Sequence, residues 1–214
     1  MKRPDAEKRP GDEPDARRTT EGADYTERLI RKQSAWWKRA LHVQAPYRWN
    51  LRRLDLGFTL DVGCGIGRNL QHLGGGVGVD HNAESVKVVR ALGFEAYTPA
   101  EFEASERAAP GAFDALLFAH VLEHMDRESG VQLVTRYLPY LREGGKVCVI
   151  TPQERGYRSD ATHEFFVDFD VIADDFARTG IEPVRSYSFP FPRSFGELFV
   201  YNEFIALATK PAAG

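Results

Sequence analysis

The chain has 214 residues, 43% of them hydrophobic, which is enough for one ordinary domain with its own core and no structural disulfide or metal. A formal net charge of -3 lacks the basic excess of a phosphate-binding surface and argues against a nucleic-acid partner. The two cysteines, Cys64 and Cys148, sit in strand-like segments and read as reduced thiols of a cytoplasmic protein, with no apolar leader and no membrane-spanning run.

Residues 1–23 are charged, contain Pro and Gly, and are almost free of large apolar side chains, so they are expected to form a disordered tail. One domain is expected over residues 24–214, opening with a helical segment over 24–50 that is a candidate lid. In it Asp24 and Glu27 stand at capping-box spacing, and Leu29, Ile30, Trp36, Trp37 and Leu41 fall near one face. Pro46 is expected to end this helix. Strands are then predicted over 58–62, 76–80, 94–97, 113–119 and 146–151. Helices are predicted after the first glycine loop, over 83–92 with Asn82 as N-cap, and over 121–141. A helix over 168–178 and two last strands over 181–188 and 199–208 complete the chain. Strands alternating with helices imply a doubly wound α/β fold, a mostly parallel sheet covered on both faces.

The segment from Leu60 to Leu70 carries the main signal. A strand ends in Asp61, and Gly63, Gly65 and Gly67 open a helix. Glycines let a backbone turn tightly and approach a ligand, and a helix N-terminus offers N–H groups to an anion. A ligand bearing both a carboxylate and an ammonium suits this corner, with the N–H groups toward the carboxylate and Asp61 toward the ammonium. Asp80 ends the next strand, where an acid commonly accepts from ribose hydroxyls. Together they indicate a nucleoside. A dinucleotide oxidoreductase is the less favoured alternative, because Arg68 stands where a dinucleotide loop has its third glycine.

Leu60 to Gly67, Gly78-Val79-Asp80, the run from Phe113 to Met125, Leu141 to Lys146 and Thr151-Pro152 resemble the class I S-adenosylmethionine (SAM)-dependent methyltransferases, especially those acting on small molecules. The resemblance is good over about residues 45–155. It implies a seven-stranded sheet of order 3-2-1-4-5-7-6 with the last strand antiparallel. It also implies SAM as methyl donor, with S-adenosylhomocysteine as product. Asp61, Gly63, Cys64, Gly65 and Gly67 would hold its methionine part, and Asp80 its ribose, with His81 beside the adenosine. Ala100 and Glu101 would lie by the adenine, where Pro99 replaces an acid often present. Ala119 and His120 would lie near the sulfonium.

A hydroxyl acceptor benefits from a base as it attacks, and histidine suits that role near neutral pH. His163, in a polar segment after the fifth strand, and His120, directly after the fourth, are the candidate catalytic residues. His124 is read as a packing residue, and His42 and His72 as ordinary surface or helix residues. Tyr157, Arg158, Phe165, Phe166, Tyr187, Phe189, Phe191, Arg193 and Phe195 place aromatic faces beside polar groups, which would suit a sugar if they do not simply fill the core. The expected acceptor is a small molecule, a saccharide or natural product methylated on oxygen. N- or C-methylation of another metabolite is the alternative, and a non-catalytic SAM-binding regulator is the reading from another class. A divalent metal on Glu164, Asp168, Asp170 and nearby histidines is conceivable, but no spacing supports it. A homodimer is the candidate assembly, with no membrane partner.

Overall fold

The computed structural model describes residues 45–212, so the tail over 1–23 and the helix over 24–41 lie outside the described residues. It opens with α1 (45–53), then β1 (Thr59–Val62), α2 (Arg68–Leu73), β2 (Val77–Val79), α3 (Ala83–Ala91), β3 (Glu95–Tyr97) and α4 (Pro99–Glu103). There follow β4 (Phe113–Ala119), a 3-10 turn (Leu122–His124), α5 (Arg127–Tyr137), β5 (Leu141–Pro152) and α6 (Glu154–Tyr157). The chain finishes with α7 (Phe169–Thr179), β6 (Glu182–Phe189) and β7 (Glu203–Thr209).

The strands form one sheet of order β3-β2-β1-β4-β5-β7-β6. The first five pair in parallel, and β7 runs antiparallel to both β5 and β6. Register brings Val62 level with Val79 and Phe118, and Ala119 level with Ile150. The carboxyl ends of β1, β2, β4 and β5 therefore meet at one edge. Every residue of β1 is buried, and so is all of β4 except the half-buried Asp114, because both faces are covered.

On one face Phe102, Val134, Tyr137, Val171, Ile172 and Phe176 bring α4, α5 and α7 against the sheet. Phe102 is its aromatic centre, with ring centroids 5.0 Å from Tyr140, 5.9 Å from Tyr137 and 6.2 Å from Phe113. On the other face Leu51 of α1 packs with Leu117, Cys148, Ile150 and Ile205, while Leu70, Val86 and Val89 seat α2 and α3. Both cysteines are buried free thiols.

Several expectations change. Pro46 lies inside α1 rather than ending a helix. The helix expected over 121–141 is broken. His120 takes φ +58°, the 3-10 turn follows, and Asp126 starts α5 afresh by accepting from the Ser129 N–H at 3.0 Å. Helix α4 was not expected. Pro99 stands in its first turn, and Thr98 and Glu101 form its capping box. Strand β5 begins at Leu141, with an irregularity in its pairing to β4, and β7 begins only at Glu203.

Candidate active site

Asp61, one residue before the end of β1, is fully buried. Its Oδ1 accepts a long hydrogen bond of 3.4 Å from Asn69 Nδ2, and its Oδ2 has no partner among the described residues. Burial pushes its carboxyl up to about 7, offset in part by Asn69 and Arg68 and reinforced by Asp80. An unpartnered buried carboxylate oxygen is costly unless a ligand supplies the donor.

The loop that follows crosses over β2. Gly63 and Cys64 donate to the Val79 carbonyl at 2.7 and 3.1 Å, Gly65 donates to Asp80 Oδ2 at 2.8 Å, and Gly67 donates to the Cys64 carbonyl at 2.9 Å. These four loop N–H groups are spent inside the protein, which leaves the first turn of α2, from Arg68, as the source of the N–H groups that the sequence reading aims at a carboxylate. What the glycines supply is conformation and room. Gly63 has φ +76°, and a Cβ there would come 2.3 Å from Val121 Cγ2. Gly65 has φ +52°, and a Cβ there would meet nothing within 4 Å. Gly63 thus lets the β1 and β4 loops touch, whereas Gly65 borders open space. The Cys64 side chain turns away into the core with Leu70, Val86 and Val89, and burial raises its thiol well above the usual range.

Asp80 is held at both oxygens, Oδ2 by Gly65 and Oδ1 by the Asn82 N–H at 2.8 Å. A carboxylate oxygen that accepts one hydrogen bond has a second lone pair with which it could accept from a ligand hydroxyl. His81 Nδ1 lies 3.7 Å from Asp80 Oδ1, with about half of its side chain exposed. Ala100 and Glu101 are exposed on α4, and the Glu101 carboxylate accepts from Thr98 and Arg90.

Across the edge, Ala119 ends β4, and the His120 N–H donates to the Ile150 carbonyl at 2.9 Å. The His120 ring is clamped between carboxylates, Nδ1 3.2 Å from Glu123 Oε1 and Nε2 3.0 Å from Glu203 Oε1. Burial works against its charge, but the two carboxylates prevail and lift it to about 9. Both ring nitrogens are engaged, which leaves no lone pair to receive a substrate proton.

His163 is different. Its Nδ1 lies 2.8 Å from the Tyr157 carbonyl, which can only accept, so the proton sits on Nδ1 and Nε2 keeps its lone pair. Its ring stacks on Tyr157 with centroids 5.3 Å apart, and burial lowers its pKa below the ordinary value. His124, read from sequence as packing, comes to 4.8 Å from His163 by ring centroid. Buried Glu123 completes a group that the sequence reading missed. The signal was present in the adjacent pair Glu123-His124, but His163 is 39 positions further on. His72 fits its ordinary role in α2, with burial and the nearby Arg68, Arg48 and Arg52 driving its pKa down to about 4. His42 lies outside the described residues.

The aromatic third divides. Phe166 and Phe169 pack on Phe204, and Arg193 pairs with Glu154 while its guanidinium covers the same Phe204 ring at 4.8 Å. These fill the core. Phe191 and Phe195 are exposed and stacked on each other at 5.3 Å. Asp168 is used as the N-cap of α7, accepting from Val171 at 3.0 Å, so it does not join the histidines.

A family model described as a methyltransferase domain matches residues 60–149. Among curated proteins, no sequence is significantly similar to this one. Among solved structures, a SAM-dependent methyltransferase from Archaeoglobus fulgidus is similar, at 16% identity and TM-score 0.63 over 86% of this chain and 99% of that one. Another, from Thermotoga maritima and titled a possible histamine N-methyltransferase, gives 17% identity and TM-score 0.63 over 86% and 97%. The [4+2]-cyclase SpnF shares the fold at 15% identity and TM-score 0.58 over 78% and 81%. Strand order, glycine loop, paired acids and the matching domain agree: residues 60–149 carry a methyltransferase domain on the fold of the class I SAM-dependent methyltransferases, whose methyl donor is SAM.

Proposed function

We propose that the enzyme methylates a hydroxyl of a small polar acceptor, a saccharide or related natural product. SAM supplies a methyl already activated on a sulfonium, so the protein's own task is to hold, orient and deprotonate. The observation that carries the cofactor half is the orphan Asp61 Oδ2, which accepts from the ammonium. Arg68, whose charge reaches Asp61 from the first position of α2, is the cation assigned to the carboxylate. Asp80 holds the ribose hydroxyls, with Gly65 leaving space beside it.

The acceptor half rests on His163. Its Nε2 lone pair takes the hydroxyl proton as the oxygen attacks, while the Tyr157 carbonyl keeps the ring in the required tautomer. His120 is a positioning residue, bridging Glu123 and Glu203 at the ends of two strands. The half-buried Tyr157 face and exposed Phe191 and Phe195 suit the apolar faces of a sugar, which favours a saccharide over an apolar amine. Transfer of labelled methyl from SAM into a panel of sugars, glycosides and amines tests this. Label on a hydroxyl oxygen is expected. Label appearing only on nitrogen, or none with any acceptor, would sink the proposal.

A further inference from the structure

The turn after β4 and the segment before α7 bring together more than a base. A carboxylate oxygen of Glu123 and one ring nitrogen each from His124 and His163 lie within 4.8 Å of one another. The two segments are tied by backbone hydrogen bonds, Glu164 N–H to the Glu123 carbonyl at 2.8 Å and Phe165 N–H to the same oxygen at 3.3 Å. The arrangement is therefore built into the fold rather than left to mobile side chains.

Each member is presented as a metal ligand would be. His124 Nδ1 lies 3.2 Å from the Thr162 carbonyl, and His163 Nδ1 lies 2.8 Å from the Tyr157 carbonyl. Each carbonyl calls for a proton on Nδ1 and leaves Nε2 as the donor atom, the usual second contact of a ligating histidine. Thr162 Oγ1, 3.1 Å from His124 Nδ1, reinforces that orientation. Glu123 is fully buried, its Oε1 is held by His120, and its Oε2 has no partner among the described residues. A buried carboxylate oxygen beside two imidazole lone pairs has no donor within this cluster, and a cation resolves that deficit.

We infer that Glu123, His124 and His163 bind a first-row divalent cation through one carboxylate oxygen and two Nε2 atoms, with its other positions open to water or an acceptor oxygen. Two imidazoles and one carboxylate suit zinc, cobalt, iron or manganese better than calcium or magnesium. The binding stands by itself, and only the use of the ion rests on the hydroxyl reading above. There the ion would take the His163 lone pair that otherwise receives the proton, and would acidify the acceptor hydroxyl by direct coordination, the proton then passing to solvent water as the oxygen takes the methyl and S-adenosylhomocysteine leaves.

Chelator-stripped, untagged full-length protein titrated with Co²⁺ tests the inference, followed by visible absorption and by calorimetry. Expected is one equivalent per chain, with absorption in the range of nitrogen- and oxygen-bound cobalt. Glu123→Gln and His163→Ala should each weaken it about 100-fold, with SAM affinity as the check that both variants fold. Absence of binding, or binding unaltered in both variants, overturns the site. Cobalt binding without methylation of any hydroxyl leaves the site standing and defeats the acceptor reading. Undiminished hydroxyl methylation by protein that binds no metal does the reverse.

Discussion

The candidate cofactor corner after β1 and β2 and the proposed acceptor wall after β4 and β5 follow the carboxyl ends of neighbouring strands, yet they are built in opposite ways. The corner is local. Asp61, Asn69, Gly65, Asp80 and Asn82 lie within 22 consecutive residues, and a parallel register brings β1 and β2 level. The wall is assembled from distant segments, with His120, Glu123 and His124 after β4, His163 before α7 and Glu203 opening β7. Both end in an unpartnered buried carboxylate oxygen, on Asp61 and on Glu123. The difference teaches that, on the proposed reading, ligand binding would rest on a contiguous motif and chemistry on loops that only the complete sheet brings together.

Breaking the corner should have the largest effect on binding. Asp61→Asn should weaken SAM at least about 100-fold by removing a desolvated charge pair. The same change should stabilise the unliganded protein at pH 8 by on the order of 2 kcal/mol, because the folded carboxyl is raised to about 7. The sign follows from proton counts. Between the unfolded pKa near 4 and the folded value near 7, the folded state holds the extra proton, so stability falls as pH rises and is level above. Thermal melts of both proteins at pH 5 and 8 check it.

Breaking the wall should leave binding alone. His163→Ala should cut turnover roughly 100-fold or more while SAM affinity stays within about twofold. An equal loss in both would erase the division between the regions. Next in size is the glycine pair. Gly65→Ala should cost about 1 kcal/mol of stability for its left-handed backbone yet weaken SAM about tenfold by filling ligand space. Gly63→Ala should destabilise more, since its Cβ strikes Val121, and a melting series with calorimetry separates the two. Smallest is Glu101→Ala. Loss of the α4 capping box should cost about 0.5–1 kcal/mol with SAM affinity unchanged. Weaker SAM binding by that variant would support the place beside the adenine that the family resemblance implies for Glu101.

How much was legible follows the same division. Strand β4, the Asn82 cap and the Gly180 stop of α7 follow local rules and stand as read. The positions of Asp61 and Asp80 were legible because each lies at the carboxyl end of a strand, the first just before a glycine loop. The bonds from Gly63, Cys64 and Gly65 to Val79 and Asp80 were not, since they form only once β2 lies alongside. The break at His120 was hidden because its positive φ is set by the contact between Val121 and Gly63 and by pairing to Ile150, not by propensity. The clamp on His120 needs Glu203, 83 positions away, and no period in the sequence points to it.

The pH dependence of SAM binding tests the central claim most directly. Calorimetric titration of the wild type and Asp61→Asn from pH 5.5 to 8 should show wild-type affinity, roughly micromolar at its best, falling up to about tenfold per unit below pH 7. The variant should bind weakly with no such slope. A wild-type affinity level across that range, or an Asp61→Asn variant that binds SAM as tightly as the wild type, would contradict the placement of SAM on Asp61.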